Sequence, residues 1–143
     1  MLTIRIVAVG FLTDYYQAAV SEYSKRLSKF CKFEIIQIKE SDKRKECEAI
    51  RERVKGHIIL CSPAGALISS EELAGSIEKL SQVTSTITFI IGGSDGVGDL
   101  LNDVVNDKIS FGRITLPHQL FRVVLTEQIY RAFTILNGVK YHK

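Results

Sequence analysis

Apolar and polar positions alternate along MLTIRIVAVG, residues 1–10, and the same short period returns in Phe33-Glu34-Ile35-Ile36-Gln37-Ile38. A repeat of two puts successive side chains on opposite faces of a strand. Strands are therefore expected near 2–9 and 33–38. Short apolar runs from His57 to Cys61, Thr86 to Ile91 and Lys108 to Phe111 read as three more, the second of these rich in β-branched residues. Between the strands the period lengthens. Tyr15, Ala18, Ala19, Tyr23 and Leu27 recur at helical spacing after Asp14. Ser41 to Lys55 is highly charged and helical in pattern. Ser69-Ser70 ahead of Glu71-Glu72 opens a helix to about Gln82. Val97 to Asp107 is expected to form a short helix. The last helix begins near Pro117, where proline is tolerated, and stops at Asn137-Gly138. Five alternations of strand and helix define an α/β fold, with a mostly parallel sheet and helices on both faces. No linker or repeat interrupts the pattern, and 143 residues suit one domain over 1–143.

In such sheets ligands bind beyond the carboxyl ends of the strands. That rule selects three loops: CSPAG (61–65), GGSDGVG (92–98) and GRITLPH (112–118). Glycines let a backbone turn sharply and approach a ligand closely. GGSDGVG matches neither the dinucleotide fingerprint nor the phosphate-cradling P-loop, and no lysine follows it, so a nucleoside triphosphate is not favoured. GRITLPH sets a glycine, a basic residue, a proline and a histidine ahead of a helix, where backbone groups are placed to read an adenine edge. A plain turn and a tight connection into a buried helix are the simpler alternatives for these two loops.

The final helix is apolar almost all round, with Leu120, Val123, Val124, Leu125, Ile129, Ala132, Phe133, Ile135 and Leu136. Such a helix is buried or shared with a partner. Its polar residues are ordered. His118 and Arg122 lie four apart, as do Glu127 and Arg131, so each pair shares a face. A structural ion pair is the simpler reading of the second pair. For Tyr141-His142-Lys143 alone, disorder is the default.

Composition narrows the setting. The chain is 45% hydrophobic and 24% charged, as in an ordinary soluble protein. No apolar run reaches the ~20 residues of a membrane span. The start alternates and carries Arg5, unlike a signal peptide, so a cytoplasmic location is expected. Cys31, Cys47 and Cys61 are odd in number and widely spaced, which suggests free thiols and neither a disulfide framework nor a metal site. The net charge of +3 permits a polyanionic partner without requiring one. Lys43-Arg44-Lys45 is interleaved with Glu46, Glu48 and Glu52 and reads as a solvated helix face.

Four stretches taken in order carry a resemblance: IRIVAVG (4–10), FIIGGSDG (89–96), TLPHQLFRVVLTEQIYRAF (115–133) and the terminal YHK (141–143). Over nearly its whole length the chain resembles the small methyltransferases that modify N3 of a pseudouridine in 23S ribosomal RNA of the large subunit. These are the minimal SPOUT-class enzymes. The resemblance implies a homodimer and a C-terminal deep trefoil knot, an exception to the rule against knotted chains. It implies S-adenosyl-L-methionine bound by Ser62, Gly93 and the run Gly112-Arg113-Ile114-Thr115-Leu116-Pro117. It implies His118, Arg122, Arg131, Tyr141 and His142 on the substrate side or facing the partner subunit. The implied partner is ribosomal RNA in the assembled ribosome or large subunit, with no metal and no membrane. The loop after the third strand departs from the family. Where members commonly carry Leu-Asp and Gly-Lys, this chain has Cys61-Ser62 and Gly65-Ala66.

The implied donor has an activated methyl, so the protein mainly has to align it with an acceptor nitrogen. Loss of the weakly acidic N3–H makes that nitrogen a better nucleophile. His118 and His142 are candidate bases, and Arg122 and Arg131 candidate clamps for an anion or phosphate. Tyr141 is suited to stack on an unpaired base. Two other readings stay open at this stage: a methyltransferase of transfer RNA or unmodified uridine, and a non-catalytic RNA- or ribosome-binding module.

Overall fold

The computed structural model describes residues 1–143. Its strands are β1 (Thr3–Val9), β2 (Lys32–Ile38), β3 (His57–Leu67), β4 (Thr86–Ile91) and β5 (Asp107–Ser110). Its helices are α1 (Asp14–Leu27), α2 (Lys43–Arg53), α3 (Ser70–Ser81) and α4 (His118–Leu136). The strands form one sheet in the order β2-β1-β4-β3-β5. Every neighbouring pair is parallel, so the sheet is wholly rather than mostly so. No helix is long and apolar enough to cross a membrane.

Alternation along the strands sorts side chains to two cores. Ile4, Ile6 and Ala8 of β1 point into a core shared with Leu27 of α1, Leu73 and Ile77 of α3, and Leu125, Ile129 and Phe133 of α4. Val7 and Val9 point the other way, to Cys47 and Ile50 of α2 and to Val97 and Leu101 of the segment after β4. Central β4 is buried along its whole length. The connections obey one rule. β1→β2 and β3→β4 step in one direction across the sheet over the α1/α3/α4 face. β2→β3 and β4→β5 step in the other direction over the α2 face. Opposite steps on opposite faces give all four crossovers the same hand, as strand twist demands.

Local signals set the helix starts. Ser69 and Glu72 form a reciprocal capping box, and Asp42 caps α2 through the Lys45 N–H.

Two expectations are corrected. Residues 97–107 do not form a helix but a series of tight turns, with bonds from Leu100 N–H to Val97 C=O and from Val104 N–H to Leu101 C=O. Gly98 starts the segment with φ +53, and the β-branched pair Val104-Val105 and the Asn106-Asp107 pair end it, all poor helix formers. Arg51 of α2 also takes the Leu100 carbonyl at 2.7 Å. The other correction is β3, which continues through CSPAG to Leu67. Cys61 and Ala66 both face Ile109 of β5, so 62–65 is an excursion within the strand. Gly65 closes it, because a Cβ there would stand 2.6 Å from the Ile109 nitrogen.

Candidate active site

The strand order dictates where the three loops meet. The chain leaves β5 at one edge of the sheet, and α4 begins against the end of β1. Residues 111–117 must therefore pass the carboxyl ends of β3 and β4. That is three strand spacings, roughly 14 Å at ~4.8 Å each, within easy reach of seven residues. This strap brings Gly112–Pro117 past Ser62 and Gly93, the positions named from the sequence. Arg113, Ile114 and Thr115 are exposed, and Ile114 is 81% so. Nothing lies within 4 Å of where a Cβ would stand on Gly112 or on Gly96, so backbone is uncovered on both loops. Ser62 is half-buried, and its hydroxyl accepts the Ala64 N–H at 3.2 Å.

The glycine loop is held from the other face by α2. Lys43 reaches over Gly98, Cys47 lies under the Val97 carbonyl at 3.9 Å, and Arg51 grips Leu100 and Asp103. Glu46 sits against Gly93, with its Oε1 2.5 Å from the position of a Cβ there. The charged stretch is thus only partly a solvated face. Arg44 and Lys45 are exposed, whereas Glu46 is buried.

At the start of α4, His118 is exposed and Gln119 accepts the Thr13 N–H at 2.6 Å, which ties α4 to the start of α1. Arg122 is fully buried. Its guanidinium donates to the carbonyls of Val9 (3.0 Å) and Gly10 (3.1 Å) and to Gln37 Oε1 (3.2 Å). These carbonyls lie where β1 runs out of sheet partners, so Arg122 caps the carboxyl end of the strand. Burial pulls its pKa below the ordinary value, and its Nε has no partner. Although His118 and Arg122 lie four apart, the structure does not bring them to one surface.

The far end of α4 gathers the remaining residues. Arg131 pairs with Glu127 at 2.8 Å, the ion pair the spacing suggested. Tyr141 donates to the same carboxylate at 2.7 Å and packs edge-on against Tyr130 and beneath the Arg131 guanidinium. Burial and the Glu127 carboxylate both push the Tyr141 phenol up. His142 lies between Arg131 Nη1, at 3.1 Å from its Nδ1, and Glu71 of α3 on its Nε2. An arginine can only donate, so Nδ1 accepts and the ring proton of the neutral imidazole sits on Nε2 towards Glu71. The tail is therefore docked rather than disordered. Glu46, Glu71 and Glu127 organise these groups but carry no motif of their own. Only Glu127 left a trace, in its helical spacing from Arg131.

The cysteines are free, and only Cys47 touches this arrangement, through the Val97 carbonyl. Burial pushes the Cys61 thiol up to about 12.

A wholly parallel sheet whose strap crosses its carboxyl edge agrees with what the family comparison finds. The family model described as "Predicted SPOUT methyltransferase" matches residues 2–142, and the chain belongs to that family. Among named relatives, the Ribosomal RNA large subunit methyltransferase H of Latilactobacillus sakei is 48% identical, over 99% of this chain and 100% of the relative. The protein of that name from Limosilactobacillus reuteri is 44% identical over the same shares. Its namesake from Caldicellulosiruptor saccharolyticus is 40% identical over 98% of this chain and 99% of the relative.

Proposed function

We propose that this chain methylates 23S ribosomal RNA of the large subunit at N3 of a pseudouridine, with S-adenosyl-L-methionine as donor, as a cytoplasmic homodimer. The observation that carries the reading is the division of α4. An uncovered backbone cradle lies at its start, and an arginine–tyrosine–histidine cluster lies at its end. The relatives named for ribosomal RNA methylation support the substrate class.

The residues present fit the donor. The backbone of Arg113–Leu116 makes no hydrogen bond within the chain and is open to pair with an adenine edge, and the bare Cα positions of Gly96 and Gly112 leave room for close approach. When bound, the donor supplies a methyl group on a positively charged sulfur. Gly93 and Ser62 would help hold the donor, and Arg122 acts through its grip on the β1 end, as a positioning residue. The strap and α4 together form the deep trefoil knot.

Arg131 lies 13 residues beyond His118, roughly 20 Å at ~1.5 Å per residue. One chain cannot bring both to a single base. A two-fold partner with α4 antiparallel resolves this by placing one chain's tail over the other chain's cradle. Exposed apolar groups at the start of α4 favour such a partner. Phe11 and Tyr15 flank Thr13, which bonds Gln119 beside exposed Leu120, and Ile114 stands four residues before His118. In the assembled site Arg131 stabilises the anion that develops on the pyrimidine carbonyls. Tyr141 stacks on the base. His118 from the cradle side is positioned to take the N3 proton, whereas His142, whose Nδ1 accepts from Arg131, holds that arginine in place.

Calorimetry with S-adenosylmethionine, followed by methyl incorporation into matched RNAs containing pseudouridine or uridine, tests the reading. Donor binding and transfer confined to the pseudouridine RNA are expected. No heat with the donor would make the chain a binding module, and equal transfer to uridine would move the substrate elsewhere.

A further inference from the structure

We propose that Glu46 supplies the negative charge of the donor site and makes that site prefer the cationic methyl donor over its neutral product. The inference rests on the donor-site reading above and adds a residue outside its loops. Glu46 belongs to α2, on the opposite face of the sheet from α4, and is only 6% exposed. Its Oε2 accepts the Ser41 N–H at 2.9 Å. Its Oε1 accepts no hydrogen bond in the chain and lies against Gly93.

No basic side chain compensates this carboxylate. Lys43, one turn earlier, extends to Gly98, and Arg51 is committed to Asp103 and the Leu100 carbonyl. Oε1 has neither a hydrogen-bond donor nor a basic side chain in the chain, so a cation arriving beside it meets an attraction that nothing else offsets. Water screens Glu46 far less than it screens Asp95, the exposed acid within the glycine loop. The missing side chain at Gly93 lets the charge reach the backbone itself. A Cβ there would stand 2.5 Å from Oε1 and 3.2 Å from Oε2, so any larger residue drives the carboxylate away. Ser62, in the loop across the strap, offers only a hydroxyl. Glu46 is thus the buried negative charge at this edge of the sheet.

The reaction changes the charge that Glu46 faces. The sulfur–methyl bond breaks and its electron pair stays on sulfur, a nitrogen–methyl bond forms, and the N3 proton passes to the base. A sulfonium enters and a neutral thioether remains. A fixed negative charge nearby holds the first more tightly than the second, which favours donor capture and product release.

The test is calorimetry of the full-length chain with S-adenosylmethionine and with S-adenosylhomocysteine, in wild type and Glu46→Gln. Both carry the same adenosine and amino-acid groups, so their affinity ratio isolates the sulfonium charge. Glu46→Gln is expected to weaken donor binding about tenfold and to change product binding little, a shift of ~1.4 kcal/mol in the donor alone. Equal weakening of both ligands would show that Glu46 only shapes the loop through Ser41, and no change in either would show no role. Both results overturn the proposal. If Glu46→Gln fails to fold, Glu46→Asp keeps the charge but withdraws it from Gly93. A reduced donor-to-product ratio there supports the proposal and an unchanged ratio overturns it. If wild type binds neither ligand, the donor-site reading itself is at fault.

Discussion

Arg122 and Arg131 lie nine residues apart on one helix, about 13 Å along its axis, and they have opposite surroundings. Arg122 is sealed in the core with backbone carbonyls for partners. Arg131 is half-buried, paired with a carboxylate and in contact with the terminal Tyr141-His142. The first is fastened to the end of β1 and holds the cradle side of the molecule in shape. The second sits on a surface built by α4, α3 and the tail, where a ligand can reach it. Charge and helix position alone do not separate a scaffold arginine from one proposed to meet substrate. What separates them is whether the guanidinium's partners are main-chain groups already in place or side chains that an anion can displace.

Paired substitutions sharpen this contrast. Arg122→Met takes the guanidinium away from the Val9 and Gly10 carbonyls and from Gln37 Oε1, which keeps only the Leu12 N–H, and should destabilise the fold by about 3 kcal/mol in urea unfolding, with donor binding lost alongside. Arg131→Met should change stability by no more than ~1 kcal/mol and leave donor affinity intact. It should cost roughly 10²–10³-fold in methyl transfer, as loss of an anion-stabilising donor does elsewhere. If the two arginines behaved alike in unfolding, the distinction would collapse. Glu127→Gln should act more mildly, about tenfold on transfer, because Arg131 and Tyr141 lose a shared anchor but remain present.

The smallest effect is spectroscopic. Tyr141 should ionise above the ordinary tyrosine range in an alkaline absorbance titration, and Glu127→Gln should bring it back towards that range. The folded chain holds this proton more tightly than the unfolded chain does. Its contribution is therefore fully present below the ordinary tyrosine range and is lost as pH rises beyond it. Ionisation of Tyr141 in the ordinary tyrosine range would mean the tail is not docked as described.

How much of this was legible in the sequence depended on distance along the chain. The strands, the limits of α4, the capping box at Ser69 and the Glu127–Arg131 pair follow from residues within a few positions of one another. The carboxyl-edge rule also selected, without the strand order, three loops that the sheet then sets along one edge. Arg122 could not be read this way, because its partner Gly10 is 112 residues away and helical spacing had grouped it with His118. The docking of His142 on Glu71 spans 71 residues. Glu46 was hidden by its neighbours, since one buried acid among exposed charges looks like the rest of a polar helix. The missing helix at 97–107 shows local pattern losing to context, with Gly98 and the grip of Arg51 setting turns where apolar spacing suggested a helix.

The central claim is that the cradle at one end of α4 and the tail at the other complete one site only across two chains. Mixing two inactive variants tests it directly. One lacks residues 141–143, and the other carries Gly93→Val, which crowds the donor loop. After subunit exchange has been demonstrated, random pairing makes half the dimers mixed, each with one intact site. The account predicts recovery to roughly a quarter of wild-type methyl transfer. A mixture that stays inactive despite exchange, or a tail-deleted dimer that is active alone, would contradict it.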